Sequence, residues 1–384
     1  MLTCKYSKFS LSKRVTYLNC AYMSPLLKSV EKAGIRGVRL KRNPAEIAPK
    51  NFFAITRDLR QVFAKLINVK DPDRIAIVPS VSYGLATVTR NLPINRGEHV
   101  LVAAGQFPSN YYPWQSLCAE RGAEIKVVSP GPDFSNRGKI WNERFLEAIT
   151  PRTKAVALAH THWADGTVFN LAEIRKRTRE VGALLIVDGT QSVGALPFDV
   201  EKIQPDALVC AAYKWLLGPY SMGLAYYGEY FDGGKPVEEN WINRLDSENF
   251  SALVNYEPQY QPAALRFSMG EQSNFILAPM ATKAIEQINR WGVENIQSYC
   301  KSITELAVCT LREKGFIVEE LPWRASHLFG IRHPKQLDLE KLKNALTTNR
   351  IVVSFRGDSI RVSPHVYNDV EDLDRLVKIL STPV

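Results

Sequence analysis

An aspartate and a lysine each follow an apolar run, and together they suit one kind of chemistry. Asp188 ends the run ALLIVD, and Lys214 follows the run ALVCAAY. A lysine amine forms an imine with an aldehyde, and a carboxylate pairs with a protonated pyridine nitrogen. Because Lys214 stands between apolar residues and Trp215, we expect a desolvated amine with a lowered pKa, which favours imine formation. Either residue alone fits a strand cap or a surface lysine, but the pair indicates a pyridoxal 5'-phosphate (PLP) site.

The segment PSVSYGLATV joins a strand end to a helix start. The first backbone N–H groups of a helix, together with its positive dipole end, attract phosphate. We therefore expect Val81 and Ser82 to bind the cofactor phosphate, with the Ser82 hydroxyl as an additional donor. The alternative is an ordinary serine N-cap that needs no ligand.

Short apolar runs alternate with amphipathic stretches between residues 74 and 228. The predicted strands are RIAIVPS, HVLVAAG, EIKVVSP, TKAVALAH, ALLIVDG, DALVCAAY and MGLAYYG, and the predicted helices include VSYGLATVTRNL, PWQSLCAERG and LAEIRKRTREVG. This alternation predicts an α/β fold with a mostly parallel sheet that is covered on both faces. Ligands of such sheets bind beyond the carboxyl ends of the strands. Asp188 and Lys214 are therefore expected at one edge of the sheet.

The pattern changes after about residue 255. A long helical stretch around 275–314 precedes GFIVEEL, HLFGIRH, a helix near 338–348, the hairpin IVVSFRGDSIRVS and a last helix, VEDLDRLVKIL. Helices combined with a short antiparallel hairpin predict a smaller α+β domain at the C-terminus.

The segments D-G-x-Q and Y-K-x-L-x-G-P resemble those of class-V aminotransferases, a family that includes kynureninases, cysteine desulfurases, selenocysteine lyases and isopenicillin N epimerase-like proteins. The resemblance runs from LNCAYMSP at 18–25 to the last helix. It implies PLP, the fold-type-I architecture and a homodimer. It also implies an N-terminal segment (1–25) that closes over the active site, a large PLP-binding domain (26–255) and a small C-terminal domain (256–384).

The resemblance assigns further cofactor contacts. Phe107, in GQFPSNYYPW, stands where relatives stack an aromatic residue on the cofactor ring. Gln191 corresponds to a hydrogen-bond donor to the phenolic oxygen, and Tyr213 to a phosphate ligand. In AHTHWADGT the usual asparagine is absent and Trp163 stands near its position. The alternative for Phe107 and Tyr213 is ordinary aromatic packing.

Substrate and acid–base residues follow from the same comparison. In SFRGDSIRVSPHVYN, Arg361 matches the arginine that grips the substrate α-carboxylate, and Arg356 is a second candidate for that contact. Asn19, in LNCAYMSP, is expected near the substrate. His160 is a candidate acid–base group, although a lone histidine is more often structural. Glu271 replaces a threonine found in relatives, and a carboxylate there would repel a phosphate.

Several reactions are compatible with these residues. The favoured interpretation is an aminotransferase that acts on an amino acid; the alternatives are a lyase of the kynureninase or C–S/C–Se type and an epimerase. A desulfurase that relays sulfur through a cysteine is disfavoured, because no cysteine occurs between residues 310 and 384. A nicotinamide-dependent oxidoreductase would require G-x-G-x-x-G where PSVSYG stands. A non-catalytic PLP-fold binding protein would not need the Asp188–Lys214 pair.

Composition narrows the remaining classes. The net charge of +10 favours anionic ligands, but no aromatic–basic module accompanies it, so we expect no nucleic-acid partner. The six cysteines form no C-x-x-C pair and have no neighbouring histidine cluster, which predicts no metal site and a reducing, cytoplasmic location. The N-terminus lacks the apolar core of a signal peptide, and no apolar run approaches the roughly 18 residues that span a bilayer. We therefore expect no membrane association.

Overall fold

The structure is a computed structural model that describes residues 2–132, 134, 136–333 and 338–381. The strands are β1 (Thr16–Tyr17), β2 (Ile75–Val78), β3 (His99–Ala103), β4 (Glu124–Val128), β5 (Thr153–Ala159), β6 (Leu184–Asp188), β7 (Ala207–Ala211), β8 (Gly223–Tyr227), β9 (Phe329–Ile331), β10 (Ile351–Val352), β11 (Ser354–Arg356) and β12 (Ser359–Val362). The helices are α1 (Lys28–Leu40), α2 (Pro49–Leu66), α3 (Val81–Arg90), α4 (Tyr112–Arg121), α5 (Arg137–Ala148), α6 (Leu171–Val181), α7 (Val200–Ile203), α8 (Leu277–Trp291), α9 (Val293–Glu313), α10 (Leu339–Thr348) and α11 (Val370–Leu380).

The seven predicted apolar runs form one sheet in the order β2-β8-β7-β6-β5-β3-β4. The five strands β3 to β7 run parallel to one another, whereas β8 is antiparallel to both of its neighbours, β2 and β7. The prediction of an α/β fold with a mostly parallel sheet is therefore confirmed. The register aligns Ala159, Asp188 and Val209 across β5, β6 and β7, so these three strands end at a common edge.

The central strands are apolar at almost every position because both faces of the sheet are covered. Leu185 and Val187 of β6 pack into one core cluster, whereas Leu184 and Ile186 pack into the other. Alternate side chains of one strand therefore enter different cores, as expected of a buried parallel strand. Burial of both faces fixes the position of the end of β6, and with it the position of Asp188.

The long helical stretch expected around 275–314 is two helices, α8 and α9. They meet at Gly292, whose φ of +77° lies in the region that favours glycine and ends α8. α8 packs against α1 and α2, and α9 packs against α11. α8 thus lies beside N-terminal helices although it follows residue 255. The proposed domain division at 255 stays a prediction.

The C-terminal hairpin is confirmed as β11 and β12, and β9 extends it to a three-stranded antiparallel sheet. β1 pairs in parallel with β10, so the N-terminus joins the C-terminal part of the chain. Asp165, in the loop after β5, connects this region to the large sheet. Its buried carboxylate accepts hydrogen bonds from Arg332 (2.9 Å) and Arg137 (3.3 Å) and lies 3.2 Å from Nδ1 of His162.

None of the described helices combines the length and the apolar character needed to cross a bilayer. Among the described residues, no three histidine, cysteine or acidic side chains are grouped in a way that would hold a metal ion.

Candidate active site

A cavity of about 340 Å³ opens at the carboxyl edge of the large sheet. All the residues predicted to bind the cofactor line it: Val81, Ser82, Phe107, Trp163, Asp188, Gln191, Tyr213 and Lys214. Asp188 reaches it from the end of β6, and Lys214 reaches it from the turn after β7. The fold thus brings the carboxylate and the amine to one space.

Lys214 is buried, with 6% of its surface exposed. The pKa of its amine is lowered to about 8, mainly by burial; Asp188 opposes this shift, and the charges of Arg361 and Arg356 contribute to it. The Nζ atom lies 5.4 Å from the ring centre of Phe107 and 5.5 Å from that of Tyr213. It makes no hydrogen bond or ion pair with any described residue. A buried amine without a counter-ion is readily deprotonated and so is nucleophilic near neutral pH.

Asp188 is equally buried, and burial raises the pKa of its carboxyl group. Thr190 opposes this shift by donating its backbone N–H to Oδ1 at 2.9 Å, and Lys214 opposes it through charge. The Thr190 hydroxyl in turn accepts the N–H of Ala211 at 3.2 Å, which holds the turn after β6 against β7. The carboxylate is therefore fixed in orientation, and the charge of Lys214 acts on it from beyond ion-pair distance.

The N-terminus of α3 forms another wall of the cavity. Ser80 caps the helix: its side chain accepts the N–H of Tyr83 at 3.2 Å, and its hydroxyl lies 2.9 Å from that of Ser82. The N–H groups of Val81 and Ser82 are left without an acceptor among the described residues, as expected in the first helical turn. Ser80 is therefore the serine cap, and the anion site at Val81 and Ser82 stays a prediction, which these free N–H groups support.

The helix α3 approaches β7 closely at Gly84. A Cβ atom at this position would lie 2.7 Å from Cγ1 of Val209, so any side chain would displace the helix from the sheet. The Gly84 carbonyl also accepts the Tyr227 hydroxyl at 2.8 Å. These contacts set the position of the free N–H groups relative to Lys214.

Aromatic side chains enclose the opposite side of the cavity. The rings of Phe107 and Trp163 meet edge to face with their centres 5.4 Å apart. The Trp163 indole donates to the Gly105 carbonyl at 2.7 Å, so its N–H is already satisfied. Tyr213 packs against Tyr220, 4.6 Å between ring centres, and its hydroxyl makes no hydrogen bond to a described residue.

Two predicted residues are placed differently from the expectation. Gln191 lines the cavity, but its amide accepts from the Trp215 indole at 2.8 Å and donates to the Ala21 carbonyl at 3.1 Å. His160 does not line the cavity; its ring packs against Phe198, 5.5 Å between centres, and burial lowers its pKa to about 3. His160 thus lies in the core just after β5, and its catalytic role stays a prediction.

A second cavity of about 370 Å³ shares Phe107, Trp163, Tyr213, Tyr220 and Lys214 with the first. Its own wall consists of N-terminal residues and of the two predicted arginines: Ala21, Tyr22, Met23, Arg356 and Arg361. The N-terminal segment thus lies over the compartment that adjoins Lys214, where a substrate would enter. Glu271 lines neither cavity and is exposed.

Arg361 is 2% exposed and is held at both ends of its guanidinium group. Nη1 donates to the Trp163 carbonyl at 2.8 Å, and Nη2 donates to the Ser354 hydroxyl at 3.4 Å. The Ser354 hydroxyl donates to Oδ1 of Asn19 at 2.8 Å. Asn19 lines neither cavity but positions Ser354, and through it Arg361, while its contact with the substrate stays a prediction.

Ser80, Thr190, Tyr22 and Tyr220 also belong to the site and were not predicted. Ser80 precedes the helix start by one residue, which is the usual place of an N-cap, and this signal was available. Thr190 follows Asp188 in the turn DGT, where a threonine commonly braces a carboxylate. Tyr22 and Tyr220 come from distant segments, and their meeting depends on the tertiary fold.

These residues fit PLP. The cavity volume lies within the usual 300–1,000 Å³ of small-ligand sites. An uncompensated amine, a buried carboxylate and unpaired helix N–H groups match, in turn, an aldehyde, a pyridine nitrogen and a phosphate. The fold and the site together define a PLP-binding protein of fold type I.

Comparison with known proteins agrees with this class. The family model for aminotransferase class-V matches residues 43–376. An uncharacterised aminotransferase of Bacillus subtilis is 30% identical over 320 residues, which is 83% of this chain and 81% of the relative. A probable cysteine desulfurase of Methanothermobacter thermautotrophicus is 28% identical, covering 84% of this chain and 82% of that one. The chain belongs to the class-V aminotransferase family.

Solved structures have the same fold. A C-DES mutant with glycine covalently linked to its PLP cofactor superposes with a TM-score of 0.87 at 20% identity, covering 100% of both chains. The cysteine desulfurase of Thermococcus onnurineus has a TM-score of 0.84 at 19% identity and covers 99% of this chain and 98% of its own. The protein is thus a PLP-dependent enzyme that acts on amino acids.

Proposed function

We propose that the enzyme is an aminotransferase that removes the amino group of an α-amino acid. The observation that carries this proposal is the single amine at the site. Lys214 has a pKa near 8, and no histidine and no second lysine lines either cavity among the described residues. One base that acts from one side suits a proton shift between two carbons that are joined through one nitrogen, which is what transamination requires.

Each residue has a role in this scheme. Lys214 holds the cofactor aldehyde, Asp188 pairs with the pyridine nitrogen, and the N–H groups of Val81 and Ser82 bind the phosphate. Phe107 packs against the ring. When bound, PLP supplies an electron sink for negative charge at the substrate Cα.

Arg361 is proposed to orient the substrate, and Lys214 is proposed to transfer its proton. Arg361 binds the substrate α-carboxylate through its guanidinium fork. Lys214, once its amine is free, would accept the proton from the substrate Cα and deliver it on the same side to the cofactor carbon, so that the amino group would stay with the cofactor. Tyr22 and Trp163 cover the compartment and exclude water from this exchange.

Epimerisation is disfavoured by the same geometry, since it requires a second base on the opposite side. On that side we place Phe107, whose ring centre lies 5.4 Å from Nζ of Lys214 and which has no ionisable group. A lyase is the second candidate. Three tyrosine hydroxyls, of Tyr22, Tyr213 and Tyr220, lie near the substrate compartment, and a tyrosine can protonate a leaving group. Cysteine desulfurases among the relatives favour the same alternative.

The test combines spectroscopy with product analysis. The purified holoenzyme is expected to absorb as lysine-bound PLP, and the amino donor is expected to shift this absorption to that of the amine form with release of a 2-oxo acid. Lys214→Ala should abolish both signals. Release of pyruvate with retention of the original absorption would overturn transamination in favour of the lyase.

The proposal includes a homodimer in a reducing cytoplasm. Large apolar side chains are exposed between residues 241 and 256; Tyr256 is 97% and Val254 80% exposed, beside Trp241 and Leu245. Monomers rarely expose such a group, so a second copy is proposed to cover it. The six cysteines are all unpaired, which fits a reducing compartment. Light scattering that gives a mass near 43.3 kDa, the mass of one chain, would contradict the dimer.

A further inference from the structure

We infer that the preferred substrate is an α-amino acid whose side chain ends in a second acidic group, a carboxylate or a sulfinate. Arg361 binds the α-carboxylate and Arg356 binds the side-chain acid. The inference rests on the proposed function and names the substrate class of the same site. It is carried by two guanidinium groups that face one compartment.

The register of the C-terminal hairpin places the two arginines side by side. Ser354 pairs with Arg361 and Arg356 pairs with Ser359 across β11 and β12. Directly paired residues and those two apart share a face, so Arg356 and Arg361 are diagonal neighbours on one face. Such neighbours lie roughly 7–8 Å apart at their backbones, a spacing that long side chains span easily.

Each arginine keeps free hydrogen-bond donors. The Nε atoms of both Arg356 and Arg361 are buried without a partner among the described residues. Arg356 uses Nη1 to bond the Phe355 carbonyl at 2.7 Å, and Arg361 uses Nη1 and Nη2 for Trp163 and Ser354. Since a guanidinium group has five N–H donors, each retains enough to bind an acid.

The electrostatics of the compartment call for more than one negative charge. No aspartate or glutamate is among the described residues that line it, whereas Arg356, Arg361 and Lys214 all do. The pKa of Arg361 is lowered to about 9, mainly by burial and also by the nearby charge of Arg356. One α-carboxylate neutralises one guanidinium group, so a second acid offsets the remaining repulsion.

The second arginine is also held in place. The Arg356 guanidinium lies 5.6 Å from the ring centre of Trp163, within the range of a cation–π contact. Trp163 is itself fixed by its hydrogen bond to Gly105. A pre-positioned guanidinium group loses little freedom on binding and therefore contributes to specificity.

The test compares acids with their neutral counterparts. The holoenzyme is assayed with L-aspartate, L-glutamate and L-cysteine sulfinate, and with L-asparagine, L-glutamine and L-alanine. The acids are expected to exceed their amides in kcat/KM by about 10- to 100-fold, the usual effect of a charged hydrogen bond. Calorimetry of the holoenzyme with succinate and with succinamate should show the same preference without turnover.

Variants separate the two arginines. Arg356→Gln is expected to bring the acid-to-amide ratio near one, whereas Arg361→Gln should lower kcat/KM for every amino acid tested. Arg356→Lys keeps the charge but loses the fork, so it should fall between wild type and Arg356→Gln. Arg121→Gln, on the exposed surface of α4, is the matched control and should change neither value.

The outcomes distinguish this inference from the proposed function. Equal rates for acids and amides, or a preference for aromatic amino acids, in a holoenzyme that absorbs as lysine-bound PLP would overturn the inference alone. A protein that shows no such absorption overturns the proposed function. If the thermal unfolding curve of Arg356→Gln matches that of wild type, the fall in the acid-to-amide ratio of kcat/KM reflects lost recognition of the side-chain acid and not unfolding.

Discussion

Arg361 donates a hydrogen bond to the backbone carbonyl of Trp163 at 2.8 Å. Arg361 lies in β12 of the C-terminal sheet, and Trp163 lies in the loop that follows β5 of the large sheet. One bond therefore ties the group proposed to bind the substrate carboxylate to the wall of the cofactor cavity. The fold therefore sets the distance between the carboxylate-binding group and the cofactor cavity, and mutations can test this arrangement.

The titration of Lys214 should govern cofactor attachment. Because its pKa is about 8, the rate at which PLP reacts with cofactor-free protein should rise with pH and level off above about pH 8. Asp188→Asn removes an attractive charge and should move the midpoint lower, whereas Arg356→Gln removes a repulsive charge and should move it higher. Stopped-flow absorbance across pH 6–10 measures these midpoints, and shifts in the opposite directions would contradict the assigned electrostatics.

Lys214 should also destabilise the cofactor-free protein at neutral pH. Its pKa is about 8 when folded and 10.5 in its ordinary state, so the unfolded chain holds more protons between these values. Stability should therefore rise with pH across that window. Lys214→Met is expected to stabilise the cofactor-free protein at pH 7 by on the order of 3 kcal/mol, and this gain should vanish above about pH 10.5. Urea unfolding at both pH values tests it; Lys176→Met, on an exposed face of α6, is the control and should show no gain.

Trp163 should hold both Phe107 and Arg356. Trp163→Phe keeps the ring but loses the hydrogen bond to Gly105, which should cost about 1 kcal/mol of stability. Trp163→Ala also removes the contacts with Phe107 and Arg356, so KM should rise several-fold more than in Trp163→Phe. Steady-state kinetics beside thermal unfolding separate the two effects. Identical KM values in both variants would show that the ring does not position Arg356.

Asp165 should be essential to stability. Burial would raise the pKa of its carboxyl group, but His162, Arg332 and Arg137 outweigh burial and hold this pKa well below its usual 3.8. The stabilisation is therefore complete above about pH 4 and is lost as the pH falls further. Asp165→Asn leaves Arg137 without its ion pair and leaves Arg332 with only its exposed partner Asp358, so it should cost about 3–5 kcal/mol in urea unfolding at pH 7.

Asp358→Asn provides the matched control for that variant. Asp358 accepts a hydrogen bond from Nε of the same Arg332 at 3.0 Å, but its side chain is 59% exposed. Exposed pairs contribute at most about 1 kcal/mol. A similar loss in both variants would show that burial does not decide the strength of these pairs.

Much of the fold was predictable because its signals are local. The strands that end at Asp188 and before Lys214 are continuous apolar runs, and a buried parallel strand has this composition for a physical reason. The break at Gly292 was missed because the residues on both sides continue a helical pattern. Only the backbone conformation of the glycine, with φ of +77°, separates α8 from α9.

The residues of the site that could be predicted are those at the ends of strands and helices. Lys214, Asp188 and Val81 lie at strand or helix ends, and the sheet brings such ends together. His160 and Asn19 lie outside both cavities, and the sequence did not reveal this because their neighbours are distant in sequence. His160 meets Phe198, and Asn19 meets Ser354 through a pairing that no local pattern encodes.

The pairing of β1 with β10 affects how the chain folds during its synthesis. Thr16 pairs with Ile351, and the Leu18 N–H bonds the Val352 carbonyl at 3.0 Å, so the first and last parts of the chain meet beside the substrate compartment. A ribosome delivers the chain from its N-terminus, and the partner strand emerges only near the end of synthesis. Until then β1 lacks its partner strand and the compartment lacks Arg356 and Arg361, so we expect a truncated translation product to be inactive.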